Sequence, residues 1–484
     1  MVQNMKKSGI SRRLLSLILV LIMVLSLGAC DGSNDPGEQN DPPVSSSDPG
    51  DVVSGKVVEG LFTECGELSV KGSHLVDESG NICVLKGVST HGIAWYPQYV
   101  SKETFTELRD EWNVNTVRLA MYTAEYNGYC TGDEANRQKL RELVCSGVDY
   151  ATELGMYVIV DWHILSDNDP NTYKSEAIEF FSFMSEKYAD NGNVIYEICN
   201  EPNSGTSWNS VKTYAVDVIA AIRKYDKDGV IIVGCPTWSQ DIDKVAADPI
   251  KGEENIIYSL HYYSSTHGDW LRDRLRAAVD SGLPVFVSEF GVSDASGNGE
   301  IDVAEAYAWI DLLDELSISR CIWSLCNKDE SSALIGSDCT KLSGWADADL
   351  KLSGRWYKGV MTDNRIEYEA PVTELTAFND NGIKADVSIS NSWYDGKYYY
   401  LQCDIAVCNE GKKAISGWSL TVNFTHDISQ EQLPWNGSFA YEGNSVKVSS
   451  VKSNAEIPAG ASARNIGFII KSTENVKLES MFMD

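Results

Sequence analysis

The chain of 484 residues is poor in basic residues and in histidine, and it lacks the spacings of a zinc site. It has 40 lysines and arginines against 70 acidic residues, so its net charge is -30. That charge argues against nucleic acid and anionic membrane surfaces as partners, because both would repel the protein. Neither a CxxC pair nor an HExxH motif occurs, so these spacings indicate no bound metal. A neutral polymer would not be repelled.

The N-terminal apolar run is too short to span a membrane. Leu14–Ala29 contains 16 residues, whereas a spanning helix needs about 20. Four basic residues precede it, which is typical of an export signal. The run ends in Leu27-Gly28-Ala29-Cys30, which resembles a bacterial lipobox and implies a lipid on the sulfur of Cys30. We predict a lipoprotein-type signal peptide over residues 1–30 and a lipid-anchored protein at the cell surface, with plain secretion as the alternative.

Residues 31–56 have too few apolar side chains to fold by themselves. They consist largely of Asp, Ser, Pro and Gly, with six acidic residues against one lysine. Such a composition predicts a disordered acidic linker with a reach of roughly 30 Å.

The cysteines give no disulfide pattern. Eleven remain after Cys30, which leaves at least one unpaired. Cys403 and Cys408 lie five positions apart in a predicted strand, so they would point to opposite faces, and the same holds for Cys321 and Cys326. We expect mostly buried, reduced cysteines.

Apolar strands and amphipathic helices alternate over residues 57–363. The strands read as near-continuous apolar runs, which is typical of a parallel sheet covered on both faces. Eight such units predict an α/β domain with a (β/α)8 TIM barrel. The predicted strands are Val84–Thr90, Val114–Met121, Tyr157–His163, Val194–Glu201, Val230–Cys235, Ile256–Tyr263, Val285–Glu289 and Cys321–Leu325.

A polar or large aromatic residue stands at or near the end of every predicted strand. Functional side chains of TIM barrels come from the carboxyl ends of the strands, so these residues are site candidates. In order they are His91, Arg118, His163, Glu201, Trp238, Tyr263, Glu289 and Trp323.

Residues 371–484 show a different pattern. Short alternating segments such as Trp418–Phe424 are separated by Gly, Asn and Ser turns, without a helical period. This predicts an all-β sandwich domain.

Two glutamates have the placement of a catalytic pair. Glu201 and Glu289, 88 positions apart, each end an apolar strand and precede a turn-forming Pro or Gly. Glycoside hydrolysis needs such paired carboxylates, although salt-bridged strand ends would leave the same pattern. Glu197 has the parity of Glu201, and its position within the strand favours an interior, hydrogen-bonded residue.

These residues lie in a set of motifs that resembles glycoside hydrolase family 5, close to its bacterial endo-β-1,4-glucanase branch. The similarity covers nearly all of residues 57–363. The matching stretches are Ser89–Gly92, Trp95–Val100, Asp161–Pro170, Asn200–Asn203, Thr237–Asp241, His261–Tyr263 and Ser293–Gly299.

The resemblance implies a retaining double displacement with Glu201 as acid/base and Glu289 as nucleophile. Retention requires carboxyl groups about 5–5.5 Å apart. Apolar surroundings and the charge of Glu289 would raise the pKa of Glu201. By resemblance, Arg118 and Tyr263 keep the nucleophile ionised. His163 and Asn200 bind sugar hydroxyls, and His261 supports the acid/base.

The same resemblance assigns substrate contacts at the rim. Flat sugar faces need aromatic platforms, and the matching positions are Trp95, Tyr122, Trp238 and Trp323, with His91 and Lys328 as polar contacts. A zinc site built from His91, His163 and His261 is the less supported alternative, because no HExxH spacing accompanies them.

The sandwich is similar to family 2 carbohydrate-binding modules. The matching segments are Ser388–Trp393, Ile415–Leu420 and Trp435–Ser438. Trp393 and Trp435 are candidates for a glucan-stacking strip, whereas Trp418 alternates with apolar residues and is predicted in the core. Ser453 replaces a third aromatic residue of the family, which speaks against tight binding to crystalline cellulose, and a plain accessory sandwich is the alternative.

We therefore predict a monomeric, surface-tethered endo-β-1,4-glucanase that acts on β-1,4-glucan without a cofactor or metal. The alternatives are a hydrolase of mannan, xyloglucan or mixed-linkage glucan, and a glycan-binding protein without catalysis.

Overall fold

Eight apolar segments form the strands of a closed parallel barrel. The computed structural model describes residues 55–367, 372–394, 397–474 and 476–483. Neighbouring strands pair in chain order, and the last strand pairs with the first. The strands are β1 Lys86–Thr90, β2 Thr116–Tyr122, β3 Tyr157–His163, β4 Val194–Glu197, β5 Ile231–Val233, β6 Ile256–Tyr263, β7 Val285–Gly291 and β8 Arg320–Leu325. The predicted (β/α)8 barrel is confirmed.

A helix follows each strand and covers the outside of the barrel. Helix α1 begins after Ser101, whose hydroxyl accepts a hydrogen bond from the amide of Thr104, and it buries Phe105, Leu108 and Trp112. Capping of this kind satisfies an amide that the helix itself leaves free. The helices are α1 Lys102–Trp112, α2 Glu134–Glu153, α3 Lys174–Tyr188, α4 Trp208–Ile222, α5 Ile242–Ala247, α6 Asp269–Asp280, α7 Val303–Glu315 and α8 Leu352–Met361.

A small N-terminal sheet covers the amino end of the barrel, and the sequence did not predict it. A one-turn helix, Phe62–Cys65, precedes three of its strands. Leu68, Leu75 and Cys83 pack against the interior barrel residues Ile159 and Phe286. This layer closes the end of the barrel opposite the strand exits, so the interior opens only at the carboxyl ends. The four strands are Val57–Val58, Ser69–Lys71, His74–Val76 and Ile82–Cys83.

Residues 374–483 form the predicted β-sandwich. One sheet has five antiparallel strands in the order Glu374–Phe378, Ile383–Tyr394, Tyr399–Asn409, Ser462–Ser472 and Ser429–Gln430. The other has four in the order Ser438–Glu442, Ser445–Ser449, Ser419–Phe424 and Leu478–Met483. A short pair, Ile415–Ser416 with Glu456–Ile457, adds a third sheet.

The core of the sandwich comes from alternate residues of these strands. Leu420, Val422 and Phe424 are buried on one strand, and Phe468 and Ile470 on a strand of the other sheet. This alternation is what a sheet with one packed face requires. Trp418 belongs to the same core, as predicted.

The anchoring predictions cannot be compared with the fold. The signal peptide, Cys30 and nearly all of the 31–56 linker lie outside the described residues. In the described part of the chain, no helix has the length and apolar character needed to cross a membrane. The eleven cysteines described there are all free, and eight of them are buried.

Candidate active site

An open cleft of about 740 Å3 lies at the carboxyl ends of the barrel strands. Most of the predicted site residues line it. They are His91, Trp95, Tyr122, His163, Glu201, Trp238, His261, Tyr263, Glu289, Trp323 and Lys328. Arg118 and Asn200 are fully buried beneath this surface.

Glu201 and Glu289 face each other across the cleft. Strand β4 ends at Glu197, so Glu201 stands on the loop after it rather than at the predicted strand end. Glu289 lies within β7, which continues to Gly291. One carboxylate oxygen of each glutamate lies within 4.8 Å of the other, in a group that also includes His261. This is near the separation that a nucleophile and an acid/base require, and below the 6.5–9.5 Å that leaves room for water between inverting carboxylates.

Arg118 organises the floor of the site from the middle of β2, not from its end as predicted. Its guanidinium donates to Glu197 at 2.7 and 3.1 Å and to Glu289 at 3.1 Å. A third carboxylate, Asp161, lies 3.0 Å away. Burial disfavours the charge of Arg118, but these carboxylates outweigh burial and raise its pKa. Arg118 therefore stays cationic and holds Glu289 in place.

Tyr263 supplies the second hydrogen bond to Glu289. Its hydroxyl donates to Oε1 at 2.8 Å, while Arg118 binds Oε2. Burial and the charge of Glu289 raise the pKa of Tyr263, so the phenol keeps its proton and remains a donor. Both oxygens of Glu289 thus accept hydrogen bonds, and these hold its carboxyl group in one orientation.

Glu201 is in a different environment. Burial, with a further contribution from the charge of Glu197, raises its pKa to about 7, and Arg118 opposes this. We expected the charge of Glu289 to act in this way, but the carboxylate responsible is Glu197. A carboxyl group with such a pKa keeps its proton near neutrality, which suits a general acid.

His261 connects Glu201 to the buried network. Its Nδ1 lies 2.9 Å from Oε1 of Glu201, and its Nε2 lies 3.0 Å from the hydroxyl of Ser288. Ser288 in turn donates to Glu197 at 2.7 Å. Burial lowers the pKa of His261 to about 4, so its ring is neutral when Glu201 exchanges its proton. Because Ser288 gives its proton to Glu197, the proton of the neutral ring is on Nε2, and Nδ1 accepts from protonated Glu201.

A second buried chain orients Asn200 and His163. Nδ1 of His163 lies 2.6 Å from Asp161, and its Nε2 accepts from the amide of Asn200 at 3.3 Å. The Asn200 carbonyl accepts from Arg118 at 2.7 Å. Burial and Arg118 lower the pKa of His163, so it is neutral. These contacts fix the amide beside Glu201 and Glu289.

Aromatic side chains from β1, β2 and β8 form one end of the cleft. Trp323 stacks on His163, and the centroids of the two rings are 5.1 Å apart. The centroid of the His91 ring lies 5.0 Å from that of Trp323. Trp95 packs against Tyr122 with centroids 4.6 Å apart. The register of β2 and β3 places Tyr122 beside His163, so these rings come together at the strand exits.

Lys328 has a partner that the sequence did not predict. Its ammonium lies 2.6 Å from Glu330, which also lies 3.6 Å from Nε2 of His91. Burial works against the charge of Glu330, but His91 and Lys328 outweigh it and lower its pKa. The two predicted polar contacts are thus held by one buried carboxylate.

Trp238 lies at the opposite end of the cleft, on an unusual turn. Thr237, Trp238 and Ser239 all have positive φ, between 52° and 58°, which is costly for residues other than glycine. The Trp238 amide donates to the Pro202 carbonyl at 3.0 Å, and the Ser239 hydroxyl donates to the Asn200 carbonyl at 2.7 Å. These bonds fasten the turn to the loop that carries Glu201 and leave Trp238 45% exposed.

Among the residues that the structure describes, two groups of side chains have metal-ligating atoms within 4.8 Å of one another. One is Glu201, His261 and Glu289, and the other is His91, Cys326 and Glu330. The hydrogen bonds and ion pairs given above already engage both groups, apart from the Cys326 thiol. Burial raises the pKa of that thiol to about 11 and so disfavours the thiolate that binds metals.

The two candidate binding residues of the sandwich lie on one face. Trp393 is 39% exposed and stacks on Tyr400, with centroids 4.9 Å apart. Trp435 is half-buried against Gly467, where a Cβ atom would come within 2.4 Å of its ring. Tyr400 and Gly467 alternate with core residues of their strands, so both tryptophans cover the outer face of the five-stranded sheet.

A (β/α)8 barrel with two close carboxyl groups in an aromatic-lined cleft defines the class of paired-carboxylate glycoside hydrolases. Residues 76–329, slightly more than half of the chain, match the family model of cellulase (glycosyl hydrolase family 5). The chain belongs to this family. Residues 383–483 match the model of a cellulose binding domain.

Individual relatives agree with this assignment. Endoglucanase A of Butyrivibrio fibrisolvens is 51% identical over 318 residues, which cover 65% of this chain and 73% of the relative. An endoglucanase of Clostridium saccharobutylicum is 47% identical over 294 residues, 60% of this chain and 64% of that protein. The structure of the Thermobifida fusca endoglucanase catalytic domain with cellotetraose is 36% identical, has a TM-score of 0.59 and covers 63% of this chain and 100% of that domain.

Proposed function

We propose that this protein is an endo-β-1,4-glucanase that hydrolyses internal bonds of β-glucan chains with retention of configuration. The observation that carries the proposal is the asymmetry of the two close carboxyl groups. Both oxygens of Glu289 accept hydrogen bonds from Arg118 and Tyr263, whereas burial raises the pKa of Glu201 to about 7. One group is set up to attack and the other to donate a proton.

In the first step, Glu289 attacks the anomeric carbon while the bond to the leaving oxygen breaks. Glu201 gives its proton to that oxygen, so the shortened chain leaves as a neutral alcohol. The product on the enzyme is an ester between the sugar and Glu289. His261 is neutral with its proton on Nε2, so its Nδ1 accepts the hydrogen bond of protonated Glu201 and orients this group before the transfer.

In the second step, Glu201 takes a proton from a water molecule, which attacks the same carbon. The ester bond breaks, Glu289 regains its charge, and the sugar leaves with its original configuration. Arg118 stays charged throughout, so the released carboxylate finds its ion pair in place.

Cleavage within a chain is supported by aromatic side chains on both sides of the glutamates. Trp95 and Trp323 lie at the end formed by β8, β1 and β2, and Trp238 lies on the loop after β5. A polysaccharide bound along this cleft would present a bond with sugars on both sides to Glu201 and Glu289. This arrangement favours internal over terminal cleavage.

We further propose that the sandwich binds glucan through Trp393 and Trp435, and that Cys30 carries a lipid that keeps a monomeric enzyme at the cell surface. The exposed face of Trp393 and the match to a cellulose binding domain support the first part. The lipobox-like sequence before Cys30 supports the second.

The activity is tested with the chain expressed without residues 1–30. Reducing ends and viscosity are followed on carboxymethylcellulose and, separately, on β-mannan. We expect rapid viscosity loss on the cellulose derivative, its abolition in Glu289→Ala, and full activity in Glu186→Ala, a matched change of an exposed glutamate on α3. Preference for mannan would overturn the substrate assignment, and an active Glu289→Ala variant would overturn the mechanism.

A further inference from the structure

Trp270 is an exposed aromatic residue at the same end of the barrel as the catalytic glutamates. It is the second residue of α6, which begins six residues after the carboxyl end of β6. Its side chain is 48% exposed. A single exposed aromatic residue needs no explanation, but two neighbours connect this one to the cleft.

The first connection is His267, which lines the cleft. The ring centroids of His267 and Trp270 are 5.8 Å apart, with an angle of 68° between the ring planes. His267 is itself fixed, because its Nδ1 accepts from the amide of Tyr263 at 2.8 Å and its carbonyl accepts from the Trp309 indole at 2.6 Å. Trp270 therefore borders a rigid part of the cleft wall.

The second connection is Arg274, one helical turn after Trp270. Its guanidinium carbon lies 5.3 Å from the Trp270 ring centroid, within the range of a cation–π contact. The same guanidinium donates to the carbonyl of Gln240 at 3.0 Å and to Asp241 at 3.2 Å. Gln240 also lines the cleft, two residues after Trp238. The indole is thus held beside the loop that carries the Trp238 platform.

This part of the cleft lies toward the leaving group. In the closed barrel, β4 and β5 are opposite β8 and β1, which carry Trp323 and His91. Glu201 follows β4, and as the acid it must reach the leaving oxygen. The leaving portion of the substrate therefore extends over the loops after β4, β5 and β6, where Trp238 and then Trp270 lie.

The geometry points to Trp270 as an additional sugar-binding platform, beyond Trp238, for a β-1,4-linked glucosyl residue of the leaving chain. This inference rests on the proposed glucanase activity. The residue contributes to binding and not to the chemical step, so it favours substrates long enough to reach it. A substrate whose leaving group is a single aryl ring does not extend that far.

The test compares Trp270→Ala with the parent chain on cellohexaose and on dinitrophenyl cellobioside. Tyr225→Ala is the matched control, because Tyr225 is 41% exposed and lies between α4 and β5, at the other end of the barrel. We expect Trp270→Ala to lower kcat/KM on cellohexaose about three- to tenfold, the size of one aromatic contact. The change should lie mainly in KM, and the aryl substrate should be cleaved as by the parent. Cellohexaose labelled at its reducing end should also be cut with a shifted register.

Two results would overturn the platform. One is that Trp270→Ala leaves both kcat/KM and the cleavage position on cellohexaose unchanged. The other is that kcat/KM falls equally on the aryl substrate, or falls equally in Tyr225→Ala, which would mean a general disturbance of the protein. Failure of the proposed function looks different, because then the parent chain would cleave neither substrate. Trp270→Phe should lower kcat/KM on cellohexaose less than Trp270→Ala does, since a smaller aromatic face remains.

Discussion

The raised pKa of Glu201 predicts an alkaline limit to cleavage near neutrality. An acid must carry its proton to donate it, and that proton is lost as the pH rises through the pKa. With a pKa of about 7, Glu201 is about 90% protonated at pH 6 and about 10% at pH 8. The kcat/KM of a cello-oligosaccharide should therefore fall about tenfold over this interval. A glutamate of ordinary pKa would be about 2% protonated at pH 6 and would lose a further hundredfold by pH 8.

The assay separates the proton from other effects of pH by changing the leaving group. The leaving group of cellotetraose is a sugar alcohol, which needs the proton from Glu201. The leaving group of dinitrophenyl cellobioside is dinitrophenolate, which is stable without a proton. The fall of kcat/KM with rising pH, the alkaline limb of the pH profile, should be centred near pH 7 for cellotetraose. The rate of the first turnover of dinitrophenyl cellobioside should show no such limb. His261 does not add to this limb, because its pKa is about 4.

Glu201→Gln is the control variant. It should lose about 10²- to 10⁴-fold on cellotetraose and keep a first turnover on dinitrophenyl cellobioside. The reasoning fails if the limb for cellotetraose lies below pH 5.5, or if both substrates show the same limb.

Three further changes test the structure. Arg118→Met leaves Glu197 and the other buried carboxylates without their cation. Urea denaturation should therefore show that the free energy of unfolding falls by about 3–5 kcal/mol. A loss under 1 kcal/mol would contradict the stabilising role of these ion pairs. Trp309→Ala removes a fully buried indole whose ring centroid lies 3.8 Å from that of Tyr262. The free energy of unfolding, measured in the same way, should fall by about 3–5 kcal/mol. An unchanged value would mean that neighbouring side chains fill the cavity. Trp393→Ala should weaken pull-down on cellulose while hydrolysis of soluble oligosaccharides stays unchanged, and undiminished retention would exclude Trp393 as a contact.

The sequence located the barrel because its strands are long apolar runs, but several strand boundaries were misplaced, most of all the end of β4. Ile198 and Cys199 continue the apolar pattern of β4, and both are buried, yet the strand ends at Glu197. A run of apolar residues indicates that the residues are buried, but it does not show where strand pairing ends. The N-terminal sheet was missed for a different reason, since strands of two or three residues show no period.

Glu201 and Glu289 were singled out because each lies near the carboxyl end of an apolar strand and in a specific motif. Ser288 and Asp161 were not, although they join the acid and the buried histidine to the network. The bond of Ser288 to Glu197 and the ion pair of Asp161 with Arg118 join strands that are distant in the sequence, so no local spacing records them. The left-handed turn at Trp238 was equally invisible, because none of its three residues is glycine or asparagine.

That turn has a consequence for how the enzyme can diversify. The Trp238 amide and the Ser239 hydroxyl are bonded to the same loop that holds Glu201. A substitution that reshapes this platform for another leaving sugar would also move the proton donor. New preferences at this end of the cleft therefore carry a catalytic penalty. Trp95 at the other end is different, because its indole donates to the carbonyl of the exposed Tyr126 and not to the loop that holds Glu201. Evolution toward other β-glycans should begin there.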